Sequence, residues 1–263
     1  MLKTAVNVWR WRRFVGAVAR RELKARYAGS TLGAAWTILE PAVQFGLYLT
    51  VFSYFLGMRF EGNATVGSFG FFLLGGMIPF GAFQEAAVRA VGLARSQAGL
   101  VRHINAPLEV LLAGSLVAIF ARHAVALVLA TGLAAVWGTV AWAQLPWLVV
   151  GVVLLCAGAW GLALFLVPAG AFLPDLNQVV GSASTVMFFL TPVVYPLDQL
   201  PAGAARWMAF NPLVGLLDTF RAVLVGSRIV PAHLAVTAVA ALVLVVAGGA
   251  VFEKRAAAVP DIV

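Results

Sequence analysis

The sequence predicts an all-α membrane protein. Three observations point that way. Of 263 residues, 62% are hydrophobic and only 11% charged, where a soluble domain carries about 25% charged residues. Several uncharged stretches approach or exceed the roughly 20 residues that cross a bilayer core as a helix. The basic residues, 18 against 10 acidic ones, are gathered between alternate stretches and not spread evenly. This composition excludes a soluble enzyme, a disordered chain and a disulfide scaffold. Cys156 is the single cysteine and reads as a small apolar residue. No cleaved signal peptide is expected, because Arg20 and Arg21 interrupt the first apolar run.

Two regions are expected: residues 1–33, an N-terminal arm, and residues 34–263, a membrane domain. In the arm, Trp11, Val15, Ala19, Leu23 and Tyr27 recur every fourth position, with Phe14 and Val18 beside them and Arg10, Arg12, Arg13, Arg20, Lys24 and Arg26 between them. That pattern predicts an amphipathic helix lying at the membrane interface, its apolar face toward lipid. Gly29 and Gly33 then permit the turn into the first span.

Six spans follow from the stretches free of Asp, Glu, Lys and Arg. The first runs from Pro41 to Met58, extending back to Trp36 if Glu40 sits at the interface, and the second from Gly62 to Gln84. The third and fourth share the run from His123 to Pro174, divided by a turn at 142–147, where Trp142 and Trp147 flank a Gln and a Pro. The fifth covers Leu176–Leu197 and the sixth Ile229–Phe252. If the third helix starts near Pro107, Arg122 lies about four turns in, where it snorkels to the interface or faces a polar cavity.

Lys and Arg are concentrated before the first span, between the second and third (Arg89, Arg95, Arg102) and after the sixth (Lys254, Arg255). The positive-inside rule then puts both termini in the cytoplasm. Between spans five and six, residues 197–228 contain Pro201, Pro212 and two apolar runs too short to cross, which predicts a re-entrant or interfacial external helical hairpin. Within it Asp218 and Arg221 are three apart, so a mutual ion pair is expected, with contact to a pyrophosphate as the other role for Arg221.

No catalytic or metal-binding constellation stands out. His103, His123 and His233 are far apart, and no nucleophile elbow is present. The only lysines are Lys3, Lys24 and Lys254, and none lies in a phosphate-binding loop context. This chain therefore carries no ATP site of its own. The few acids within the spans argue against a proton-coupled carrier.

The run from Ala19 through Arg20-Arg21-Glu22-Leu23-Lys24-Ala25-Arg26-Tyr27 to Ser30-Thr31-Leu32-Gly33 and Trp36, followed by Glu40-Pro41, resembles the opening of the ABC type-2 permeases that export polysaccharides, the Wzm- and TagG-like proteins. Thr191-Pro192-Val193-Val194-Tyr195-Pro196 and Asn211-Pro212-Leu213 with Arg221 and Gly226 support the likeness, which extends over nearly the whole chain. The segment Leu100-Val101-Arg102-His103-Ile104-Asn105-Ala106-Pro107 departs from it, lacking the usual Phe-Pro and the more basic character. Arg122-His123 is a second departure.

The resemblance implies a homodimer with two ATPase subunits, which bind ATP-Mg, moving a lipid-linked (undecaprenyl-type) glycan across the bacterial inner membrane, with membrane lipids and no nucleic acid as further partners. It implies that residues 92–106, with Arg95, Arg102 and His103, form a coupling helix on the ATPase, joined by Arg20, Arg21 and Lys24 of the arm. A substrate path is expected along two stripes at helical spacing, Gln44, Tyr48, Phe52 and Phe55 on span one, and Ser184, Phe188, Thr191 and Tyr195 on span five, because aromatic rings and hydroxyls suit sliding sugars. Asn211, Asp218 and Arg221 are the expected external gate. Export of a drug or lipid is the nearest alternative, and a secondary carrier a more distant one.

Overall fold

Uncharged runs become helices because a chain in hydrocarbon must satisfy its backbone groups internally. In the computed structural model, which describes residues 2–55, 57, 68–99, 106–259 and 262, no strand occurs among the described residues. The arm is two helices, α1 (Leu2–Arg10) and α2 (Arg12–Arg26), with a break at Trp11. Gly29 and Gly33 take left-handed backbone angles, φ 81° and 47°, and turn the chain into α3 (Trp36–Tyr48). There α3 widens into a π-helical segment, Leu49–Phe55, where the Thr50 hydroxyl donates to the Gly46 carbonyl (2.7 Å).

Next come α4 (Ser68–Ser96), α5 (Leu108–Val136) and α6 (Leu145–Phe172). The turn expected at 142–147 is realised as Gly138, at φ 71°, and a short 3-10 turn over Trp142–Gln144. Then follow α7 (Leu176–Leu190), α8 (Ala202–Met208), α9 (Pro212–Val225) and α10 (Pro231–Arg255).

Four of these segments are long and apolar enough to cross a membrane: α4, α5, α6 with its preceding turn, and α10. A fifth crossing results if α8 and α9, bent by 93°, are counted together. The expected fifth span, Leu176–Leu197, is cut short. Its helix stops at Leu190, since Pro192 carries no N–H, and its 15 residues reach only about 22 Å, less than the roughly 30 Å hydrocarbon core. The second span is corrected in the other direction. Its helix runs twelve residues past Gln84, to Ser96, burying Ala86, Ala90, Val91, Leu93 and Ala94 in the largest core cluster. Residues 92–96 therefore belong to this long helix. Residues 98–99 are helical, while Arg102 and His103 lie outside the described residues, as does 62–67, the start expected for span two.

The core centres on α4, α6, α9 and α10. Glycines on α6 and α10, Gly161 and Gly248, bring the two backbones into contact, as small residues do between membrane helices. The arm is no free-lying interface helix. Val15, Val18 and Ala19 are buried, and Val18 packs so closely on α5 that a Cβ added to Gly114 would lie 2.6 Å from it. Polar contacts complete the seam. Glu22 accepts from Arg89, from the Gln97 amide (3.0 Å) and from the Ser115 hydroxyl (2.6 Å), and Arg21 donates to Gln97.

Candidate functional site

Between α3, α4 and α5, with Phe188 of α7 at one side, lies a cleft of about 700 Å³. One wall is aromatic and amide-bearing: Gln44, Phe45 and Tyr48 from α3 and Phe80 from α4. The far part is aliphatic, with Leu74, Ile78, Ala130 and Leu133. At the end nearest the arm the lining turns ionic. Glu85 is the hub: Arg122 donates to its Oε1, His123 Nε2 lies 3.2 Å from its Oε2, and Arg26 Nη1 lies 3.4 Å from Oε1. Arg26 also reaches Glu40 at 3.4 Å. Four helices, α2 to α5, thus meet through one ionic cluster inside the cleft. Of the two positions open to Arg122, the polar cavity is the one observed. Its side chain is only 13% exposed, and a buried cation needs such a partner.

The two aromatic stripes are only partly brought together. Gln44, Tyr48 and Phe188 line the cleft. Phe52 packs against Phe69 at 5.7 Å between ring centroids, and Phe55 stands out of the fold, 78% exposed. Ser184 is half-buried and does not line the cleft. Thr191 is fully buried and receives a hydrogen bond from Asn211 Nδ2 (2.9 Å). Tyr195 donates to the Phe189 carbonyl (2.6 Å), closing the chain back on the end of α7.

Asn211, Asp218 and Arg221 hold the α7–α9 region together in ways the spacing did not show. Asn211 caps α9, its Oδ1 accepting from the Leu213 N–H (2.9 Å), with Pro212 at the first turn, where its missing N–H costs nothing. The expected ion pair between Asp218 and Arg221 is not formed. Asp218 turns to His233 of α10 (3.0 Å). Arg221, 3% exposed, turns inward and donates to three carbonyls: Phe72 of α4 (3.2 Å), Pro192 (2.7 Å) and Val193 (2.8 Å). Its guanidinium lies 3.7 Å from the Phe72 ring centroid, a cation–π contact. Gly75 and Gly76 make the room: a Cβ on Gly76 would lie 2.7 Å from Arg221 Nη2 and 2.9 Å from the Val193 carbonyl. The carbonyls past the end of α7 have no helical partner, so the cation satisfies groups that would otherwise be buried unpaired.

Of the expected coupling residues, Arg20 and Lys24 are exposed on the arm, Arg21 is engaged by Gln97, and Arg95 donates to the Ala171 carbonyl (3.0 Å). Glu22, Glu85 and the Gly75-Gly76 pair escaped the sequence reading as functional candidates. Glu85 carried a signal, being an acid at the edge of an apolar run in a chain with an unexplained Arg-His pair.

Comparison with known proteins accounts for most of the chain. Residues 13–225 match the ABC-2 type transporter family. Over 260 residues the chain is 28% identical to the O-antigen export system permease protein RfbA of Myxococcus xanthus, covering 97% of each. It is 27% identical over 211 residues, 79% of each chain, to the polysialic acid transport protein KpsM of Escherichia coli. It is 24% identical over 224 residues, 83% of this chain and 82% of the relative, to the capsule polysaccharide export inner-membrane protein CtrC of Neisseria meningitidis serogroup B. With a match that takes in nearly all of α2, the cleft and the Asn211–Arg221 helix, the chain belongs to the ABC-2 type transporter family of membrane proteins.

Proposed function

We propose that this chain is the permease subunit of an ATP-driven exporter that moves a lipid-linked polysaccharide of O-antigen, capsule or teichoic-acid type across the inner membrane. The observation that carries the reading is the cleft. It offers an aromatic, amide-bearing wall with one ionic end, and it lies in a chain whose relatives, aligned over 82–97% of their length, are named for O-antigen and capsule export. Rings and amides hold sugars weakly at several points, which favours passage over retention. Gln44, Tyr48 and Phe188 are the path residues of this reading.

The chain works as a homodimer of six-span subunits. Helix α3 with its π-helical continuation and the shortened α7 count as spans one and five, and α8–α9 is the external re-entrant hairpin. Support comes from the outer faces of α3 and α7, where Val43, Leu47, Val179, Val186 and Phe189 are all more than half exposed, an arrangement suited to a second copy. Both termini face the cytoplasm, where two ATPase subunits bind ATP-Mg and meet Arg20, Lys24 and the segment around Arg102 and His103. ATP-driven closure moves the arm, and the arm is fastened to α4 and α5 through Glu22, so the push reaches the cleft. Asn211 and Arg221 set the exit by tying the end of α7 to α9.

The test is export from cells by a Tyr48→Ala/Phe188→Ala variant. The reading expects export to fall by roughly tenfold or more, the scale of two lost stacking contacts of about 1 kcal/mol each, at unchanged membrane level. Wild-type export would make these rings packing residues.

A further inference from the structure

The elbow at Trp11 has features that the export reading leaves unused. Arg10, Arg12 and Arg13 surround a concavity of about 400 Å³ together with Trp11 and Phe14. Arg12 also lines a second, apolar groove of about 450 Å³, walled by Val8 and Val15 of the arm, Trp160 and Leu164 of α6 and Val245 of α10. The polar and apolar halves are thus joined at one side chain. Arg12 is held there: its guanidinium lies over the Trp9 ring at 5.3 Å and donates to the Trp9 carbonyl (3.3 Å).

These arginines differ from the arginines that fasten helices together. Arg26, Arg89 and Arg122 each meet a carboxylate, and Arg221 meets three carbonyls. No ion pair among the described residues engages Arg10, Arg12 or Arg13. Three like charges within four positions repel one another, and a bound anion relieves that. Trp9 is 72% exposed and Trp11 37%, and Trp favours the boundary between head groups and hydrocarbon. The apolar groove is walled in part by α6 and α10, two helices long enough to cross the membrane, and its apolar lining suits an acyl chain. Its volume lies within the range of about 300–1,000 Å³ typical of small-molecule sites.

We propose that this composite groove binds one anionic phospholipid of the surrounding bilayer, with its phosphate on Arg10, Arg12 and Arg13 and an acyl chain along Trp160, Leu164 and Val245. A lipid so placed fastens the arm to α6 and α10, at the end of the arm away from the Glu22 cluster. The site requires a membrane setting but is independent of what the permease carries.

The experiment uses the full-length chain purified in detergent, with phosphatidylglycerol and phosphatidylcholine as probes and native mass spectrometry as the readout. The wild type is expected to retain phosphatidylglycerol over phosphatidylcholine. An Arg10→Gln/Arg12→Gln/Arg13→Gln variant should lose about tenfold or more in phosphatidylglycerol affinity, given three charges each contributing several-fold. A Val245→Trp variant, at a half-buried position of the groove wall, narrows the groove, leaves the charges and should lose it as well. An Arg20→Gln/Lys24→Gln variant, altering the exposed face of the same arm, should bind within about twofold of wild type. Equal retention of the two lipids, or unchanged phosphatidylglycerol binding in both groove variants, overturns the proposal. So does displacement of the lipid by a polyprenyl diphosphate, which would make the groove part of the cargo's route. Loss of export in the Tyr48→Ala/Phe188→Ala variant bears on the function alone and leaves this result standing.

Discussion

Helices α7 and α9 have nearly the same length, 15 and 14 residues, and both are too short to cross a bilayer alone. They are packed in opposite ways. Twelve residues of α9 are buried, Arg221 among them, while no residue of α7 is. Helix α9 is fixed on several sides. Asn211 ties it to Thr191, Arg221 to α4 and the 192–193 carbonyls, Asp218 to α10, and the Val223 carbonyl accepts from the Ala141 N–H (2.9 Å). Helix α7 is partly buried at most: Leu176 and Val180 pack on the core, Phe188 meets Phe80 at 5.4 Å between ring centroids, and Asn211 and Arg221 hold the chain where the helix ends. The difference separates a fixed frame from an element with free surface. In the export reading, the frame is the exit hairpin, and the element with free surface is the one that meets a second copy and adjusts to cargo.

The largest effect expected is at the bolt between them. Arg221→Met removes the cation and leaves three carbonyls without that donor, a loss of about 3 kcal/mol or more. Thermal unfolding in detergent should show a large fall in transition temperature, and Arg221→Lys should recover only part of it, since an ammonium lacks the planar fork. If Arg221→Met unfolds like the wild type, α9 is not fastened as described. Next is Gly76→Ala on α4, whose added methyl meets both Arg221 and the Val193 carbonyl. Overpacking of this kind costs about 1–3 kcal/mol, and the same unfolding measurement checks it.

A smaller effect is expected at Glu85. Glu85→Gln leaves Arg122, His123 and Arg26 facing one another without their shared carboxylate. Loss of the hub should lower stability by about 1–3 kcal/mol and lower export further than stability alone explains, as shown by export normalised to membrane level. Smallest is the outer face of α7. Val179→Ala and Val186→Ala, 58% and 56% exposed, should change the stability of the single chain by less than about 0.5 kcal/mol yet weaken self-association in cross-linking. Unchanged self-association would remove α7 from the subunit contact.

Much of the architecture was legible in the sequence, because bilayer thickness and uncharged runs are linked by elementary geometry. The starts of α3, α5 and α10 and the turn at 142–147 follow from Trp, Pro and Gly placed beside apolar runs. The miss at the second span has a clear cause. Counting charges as ends of spans assumes that each charge meets water, whereas Glu85 and Arg89 sit inside α4 because Arg122, Arg26 and Glu22 meet them there. At the site, spacing along a helix offers Asp218 as the partner of Arg221, but carbonyls released where α7 breaks at Pro192 have no signature in the sequence. Gln44 and Tyr48, four apart on α3, both line the cleft as their spacing suggests, but Ser184 stands at the same spacing from Phe188 and does not, so spacing alone did not mark the cleft. Thr191 and Tyr195 do not line it either, since they lie beyond the end of α7, where helical periodicity no longer applies.

The account rests on this chain being a conduit driven by a separate ATPase. Reconstitution into proteoliposomes with a polyprenyl-linked glycan tests it most directly, with the chain present alone or with its partner ATPase and ATP-Mg. The account predicts glycan translocation only when both proteins and ATP are present. Translocation or ATP hydrolysis by this chain alone would contradict it.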